Sequence, residues 1–281
     1  MFQYIFSSIL LGLLILISDY VFADKVFILK QKSDDVHNSV VKGFRDVVSG
    51  VQIFELDADG SVDRAKSMIS EVLKKDRNFY LFAVGVIPTY AANELLAERR
   101  NNPVIFTLVF SPERLGRLPK NFCGVLMRPD PKEAIEQFKN NFKEKELIVP
   151  YSDSSESAAE ELSREGKNSG VNVSIRKIRT DLEAIEFLQN HQKVPLWLLP
   201  DTLLVNPDTV PLILNISSQV PVIVFSRWLV KLGASFGYEI DFYEIGRKSG
   251  EIFNRIMKKE IDIRKDKLFY PKVKYIKKGE E

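Results

Sequence analysis

The sequence predicts an α/β protein made of two Rossmann-like lobes, each on a parallel sheet, joined by a hinge. Three observations carry this. Short apolar runs alternate with amphipathic segments along the 281-residue chain, and that alternation builds parallel sheets covered by helices. The stretch from Val194 to Gly250 holds two such runs, Pro195–Leu199 and Val220–Phe225, around an amphipathic segment, Asn206–Ser218, with Pro207 near its first turn. Runs so short and dense read as strands buried on both faces. Finally, the chain is long enough for two lobes of about 100–150 residues each, yet no low-complexity linker divides it. The lobes are therefore expected to be joined by short crossing segments.

Taken in order, Lys25–Lys30 is the first strand. Asp34–Ser49 is a helix with Val36, Val40, Phe44 and Val47 on one face. Val51–Leu56 and Asn78–Val84 are strands around the helix Ser61–Lys75, for which Ser61 is an N-cap. A helix follows from about Thr89 to Arg99, then a strand, Pro103–Val109. Phe110–Lys120 is punctuated by Pro112, Gly116 and Pro119 and reads as a loop. Strands at Phe122–Met127, Glu146–Pro150 and Val171–Ile178 alternate with helices at Pro131–Phe142, Ser154–Gly170 and Asp181–Gln189, with Gly170 as C-cap. After the Val194–Ser226 unit come a helix, Phe242–Lys259, and a terminal strand, Leu268–Ile276. Crossings are expected near Phe122–Met127, Ala234–Glu239 and Ile261–Leu268. They divide the chain into lobe 1 (24–122 plus 236–260) and lobe 2 (123–235 plus 261–281).

The first 23 residues read as a leader. Ile5–Ile17 is an apolar run of thirteen, short for a membrane span of about 20 residues. Val21-Phe22-Ala23 supplies a cleavage site. The alternative is an uncleaved anchor, since no Lys or Arg precedes the run. The only cysteine is Cys123, so an internal disulfide is impossible and no lipid-anchoring cysteine follows the run. An exported protein without a lipid anchor fits a periplasm.

Forty basic against 38 acidic residues give +2, too even a balance for nucleic acid as the main partner. His37 and His191 are far apart in sequence with no Cys or carboxylate at ligand spacing, and no phosphate-binding or nucleophile-elbow motif occurs. No catalytic residue, metal or cofactor is expected. In open α/β sheets ligands bind beyond the carboxyl ends of the strands, so the loops there are the candidates. They are Ser33 after the first strand, Gly85-Val86-Ile87-Pro88-Thr89 after the third, Tyr151-Ser152-Asp153-Ser154-Ser155 in the second half, Asp201 after Pro200, and Ser226-Arg227. Helix N-termini following Gly85 and Ser155 suit a carboxylate or phosphate, while Asp153, Ser154 and Asp201 also suit plain capping. Arg227 suits a carboxylate or a solvated surface.

LLPDTLLVNPDTVPLIL, followed by PVIVFSRWLVKLGASFGYEIDFYEIGRKSGEIFNRIM, resembles the C-terminal half of the ABC-transporter substrate-binding family that includes the tryptophan and aromatic amino acid binders. The matching positions include Pro200, Asp201, Asn206, Pro207, Phe225, Ser226, Gly233, Asp241, Gly246 and Gly250. The resemblance implies a type I periplasmic binding protein fold. It also implies a monomer that captures a small polar organic ligand, amino acid-like and aromatic among the candidates, in the interlobe cleft. The implied partner is an ABC permease in the inner membrane. A membrane sensor kinase fed by the same cleft is the alternative, as is an interaction module on the same fold. Asp201 would accept hydrogen bonds from a ligand ammonium. Two positions depart from the family pattern in cleft loops: Ser111 stands where Asp is frequent, and Val86 where Thr or a small residue is frequent.

Overall fold

The computed structural model describes residues 24–191 and 193–280. The expected leader, and with it the cleavage site, lies outside them. In lobe 1 the strands β1 (Lys25–Lys30), β2 (Gln52–Asp57), β3 (Tyr80–Val84), β4 (Val104–Thr107) and β5 (Phe122–Val125) are all parallel, ordered β5-β4-β3-β1-β2. Helices α1 (Asp35–Val47), α2 (Val62–Lys75) and α3 (Val86–Leu96) connect them. Val26 and Ile28 enter one apolar cluster, Phe27 and Leu29 the other. That is the period of two of a strand covered on both faces, and it is why the run is apolar throughout.

Lobe 2 repeats the plan. Strands β6 (Glu146–Tyr151), β7 (Asn172–Lys177), β8 (Leu196–Trp197), β9 (Val222–Val224) and β10 (Phe236–Ile240) are parallel and ordered β10-β9-β8-β6-β7. Helices α4 (Pro131–Asn141), α5 (Glu156–Ser169), α6 (Asp181–Asn190), α7 (Val210–Ser217) and α8 (Arg227–Leu232) belong here. The last elements are shared out: α9 (Phe242–Met257) packs back onto α1, β11 (Leu268–Phe269) joins β5 in parallel, and β12 (Val273–Lys277) joins β10 antiparallel. The α1–α9 contact is backbone to backbone: a Cβ on Gly246 would lie 2.0 Å from the Val40 carbonyl oxygen. None of the described helices is long and apolar enough to cross a membrane.

Three expectations are corrected. The chain changes lobes after β5, near 126 and so within the expected Phe122–Met127 crossing, but after β10 and after β11, near 241 and 270, beyond the other two, because each strand completes its own ladder first. Leaving a buried strand early would strand its backbone polar groups. So 122–125 and 261–269 belong to lobe 1 and 236–240 to lobe 2. The expected terminal strand is two strands of different sheets, interrupted at Pro271, which has no N–H to give a ladder. Ser226-Arg227 opens the short helix α8, too brief to show a periodic pattern, and Ser226 Oγ accepts from Leu229 N at 3.3 Å.

Candidate functional site

All three crossings leave from carboxyl ends of strands, so those ends border the hinge in both lobes. Direct contacts show that the two rims meet. Ser111 Oγ, after β4, donates to the Ser154 carbonyl at 2.5 Å, and Ser157 Oγ on α5 donates to the Glu113 carboxylate. At the hinge, Arg128 is 3% exposed. Its guanidinium donates to Phe110 O at 2.7 Å and to Glu161 Oε2 at 2.9 and 3.2 Å, and lies 5.6 Å from the Phe110 ring centre. Tyr270, on another crossing, donates to the same Glu161 oxygen at 3.2 Å. One α5 carboxylate thus ties two crossing segments together, a role nothing in the sequence announced.

The lobe 1 rim is shaped by backbone. Gly85 has φ +112°, which only glycine adopts without strain, and a Cβ there would lie 2.7 Å from Gln31 Cβ. Gln31 Oε1 accepts from Ile87 N at 3.2 Å, fixing the turn and capping the first turn of α3 in place of Gly85, which has no side chain to do so. Thr89 is fully buried and donates to Gly85 O at 2.7 Å, so it braces the turn from behind. Val86 is exposed instead, with Tyr90 one turn on. Helix α3 begins at Val86 rather than Thr89, which brings that exposed side chain onto its first turn. Next to it, Lys30 is buried; its ammonium donates to Ser33 Oγ and Asn38 Oδ1, each at 3.0 Å, and pairs with Glu55 at 2.7 Å. Ser33 in turn donates to Asp57.

The lobe 2 rim is shaped by one carboxylate. Asp201 is 4% exposed. Its Oδ2 accepts from Ser152 N at 2.9 Å, Ser152 Oγ at 2.7 Å and Ser155 Oγ at 2.6 Å, and its Oδ1 accepts from Leu203 N at 3.1 Å. Burial pushes the Asp201 carboxyl up, but the bonds from Ser155, Ser152 and Leu203 outweigh it and hold the group below the usual carboxylate range. The carboxylate fastens the loop after β6 to the loop after β8, and donors of its own chain surround it. Ser152 and Ser154, whose hydroxyls lie 2.9 Å apart, are the partly exposed groups of this network. Tyr151 packs into the lobe 2 core. Ser226 lies at the end of β9, and Arg227 beside it is held by Glu239, with N–O distances of 2.8 to 3.2 Å.

The structure therefore brings Ser111, Ser152, Ser154 and Asp201 into one cluster. Gly85, Val86, Thr89 and Ser33 form the lobe 1 rim, and Ser226, after β9, caps α8 through Leu229 N. Among the described residues no trio of His, Cys, Asp or Glu is placed to hold a metal ion. Burial pushes the Cys123 thiol up to about 12, which makes it a packing residue and a poor nucleophile.

No protein-family description matches the chain, and no curated protein does either. Solved structures do. A ligand-free, open substrate-binding protein with adhesive properties from Clostridium difficile aligns at TM-score 0.67 and 20% identity, over 90% of this chain and 92% of that one. An ABC domain in complex with L-Trp from Streptococcus pneumonia aligns at 0.56 and 18%, over 90% and 91%. A glucose-galactose binding protein from Geobacillus stearothermophilus aligns at 0.59 and 14%, over 92% and 98%. At such identities the likeness is one of fold, and it extends over both lobes and the hinge. The chain has the two-lobed type I periplasmic binding protein fold.

Proposed function

We propose that this protein captures a small polar organic molecule between its lobes and serves an ABC importer as its periplasmic solute-binding component. The observation that carries the reading is the meeting of the two rims. The Ser152–Ser154 hydroxyls of lobe 2 stand on the rim where Ser111 of lobe 1 already reaches over. A ligand that bridges both rims stabilises the closed arrangement by its differential affinity for it. The proteins of like fold are named for binding rather than for catalysis, in keeping with a non-enzymatic role.

Asp201 enters this reading as a positioning group. Its own chain supplies its donors, so it shapes the Ser152 loop while Ser152 and Ser154 meet the ligand. A thermal-shift panel of amino acids and small organic acids tests capture. A cognate ligand at 100-fold over its dissociation constant adds about 2.7 kcal/mol of stability, and scattering records a smaller radius of gyration. A panel without any shift would favour the interaction-module alternative.

A further inference from the structure

The outer pole of lobe 1, where its strands begin, carries a concentration of positive charge that the composition hides. Four segments meet there: 74–79 before β3, 98–103 before β4, 116–121 before β5, and 258–267 between α9 and β11. Together they hold twelve Lys or Arg against five Asp or Glu, an excess of seven on a chain whose net charge is +2. Among the described residues, only Arg264 of the twelve forms an ion pair, with Asp262. Two of the local acids are engaged by cations outside these segments, Asp76 by Lys25 and Glu260 by Arg255.

Helix C-termini favour cations, and both poles collect such ends. That effect sets a baseline rather than the whole excess. The corresponding segments at the lobe 2 pole, 143–146, 167–171, 190–195, 218–221, 231–235 and 277–280, hold seven basic and three acidic residues, an excess of four. At the lobe 1 pole the cations also surround a groove of about 570 Å³, with Arg100, Lys120 and Lys259 around a floor that includes Ile256, Ile261 and Ile263. Burial pushes the Lys267 ammonium down, and Arg117 and Lys120 push it further.

The chain also enters the fold at this pole. Asp24 opens β1 beside β3 and β2.

We propose that the lobe 1 pole rests on the anionic phospholipid surface of a membrane, with Arg100, Lys120 and Lys259 at the centre of the contact. A planar anionic surface matches a broad set of cations, most of them exposed and without an ion pair, each attracted within a Debye length. The contact would leave the cleft, at the other end of the lobe 1 strands, open to ligand.

Residues 24–280 contain both lobes entire, so the chain from Asp24 is the material for the test. Its flotation is measured with vesicles of phosphatidylcholine alone and of phosphatidylcholine mixed with phosphatidylglycerol, at low and at raised salt. Binding is expected to the mixed vesicles only, and to fall as salt rises. Replacing Arg100, Lys120 and Lys259 together by Gln should lower the partition on the order of a hundred-fold. Replacing Lys143, Lys145 and Lys193 at the lobe 2 pole removes the same charge and should change it by less than about threefold. All six side chains are exposed, so melting curves should confirm that both variants fold. No flotation with mixed vesicles at low salt, equal flotation with neutral vesicles, or an equal loss in the lobe 2 variant would each overturn the proposal.

Discussion

Lobe 1 and lobe 2 string their strands in the same order, yet their cleft rims are held in different ways. In lobe 1 the decisive turn is a matter of backbone: Gly85 at φ +112°, with Gln31 packed where a Cβ would stand. In lobe 2 it is a matter of one side chain, since four donors from two loops converge on Asp201. A rim built on a carboxylate is stiff while that group is ionised and fails as a unit when it is removed. A turn built on a glycine is insensitive to pH and fails by strain, even where ionic contacts such as Lys30–Glu55 lie beside it. The same architecture thus presents one turn held by an ionisable side chain and one held by backbone.

The largest effect should come from breaking the lobe 2 rim. Asp201→Ala leaves buried donors on Ser152, Ser155 and Leu203 without their acceptor and should cost about 3–5 kcal/mol, read as a lower denaturant midpoint. Ligand affinity measured by calorimetry on the folded fraction separates positioning from direct contact. A loss of 30-fold or more at little cost in stability would make Asp201 a ligand residue after all.

Next in size is the lobe 1 rim. Gly85→Ala forces a side chain into a strained φ and against Gln31, for about 2 kcal/mol. Unlike the lobe 2 variants, its deficit against the parent should be the same at pH 7 and pH 3.5.

A smaller effect sharpens the contrast. Asp201→Asn keeps the shape and removes the charge. The folded-state Asp201 carboxyl sits below the usual range, so its contribution is fully present above the unfolded value of about 3.9. It is lost as pH falls through the folded value. The stability gap between parent and Asp201→Asn should therefore be constant from neutral pH to about pH 4 and close below that. A gap that widens in acid would show that the carboxylate is not stabilised by these bonds.

The smallest expected change is at the point where the rims touch. Ser111→Ala removes the bond to the Ser154 carbonyl, worth about 1 kcal/mol. It should enlarge the radius of gyration of the ligand-free protein more than it lowers the melting temperature.

Much of this fold was legible because its strands are buried on both faces, and such strands are written as short apolar runs. The elements that escaped were short or shared. Helix α8 has six residues, and β11 has two that pair across the fold with β5. The candidate loops were legible from their place at strand ends. What each residue does there was not, because partners lie far off in sequence: Ser111 and Ser154 are 43 residues apart, Ser152 and Asp201 49. Arg128 stands beside a proline in the sequence, with nothing near it to mark it as buried, and lies 3% exposed at the hinge. The basic pole was illegible for the same reason, since its cations are dealt out between residues 74 and 267 and sum against acids elsewhere to +2.

Capture of a small molecule between the two rims can be read out by mass spectrometry of the ligand the protein releases. The protein and a Ser152→Trp variant are each incubated with a metabolite extract, washed and denatured, and the released small molecules are compared. One polar organic molecule is expected in near-equal molar amount from the parent, and little or none from the variant, whose cleft the indole would fill. Recovery of the same molecule in equal amounts from both proteins, or of none from the parent, would contradict capture between the rims.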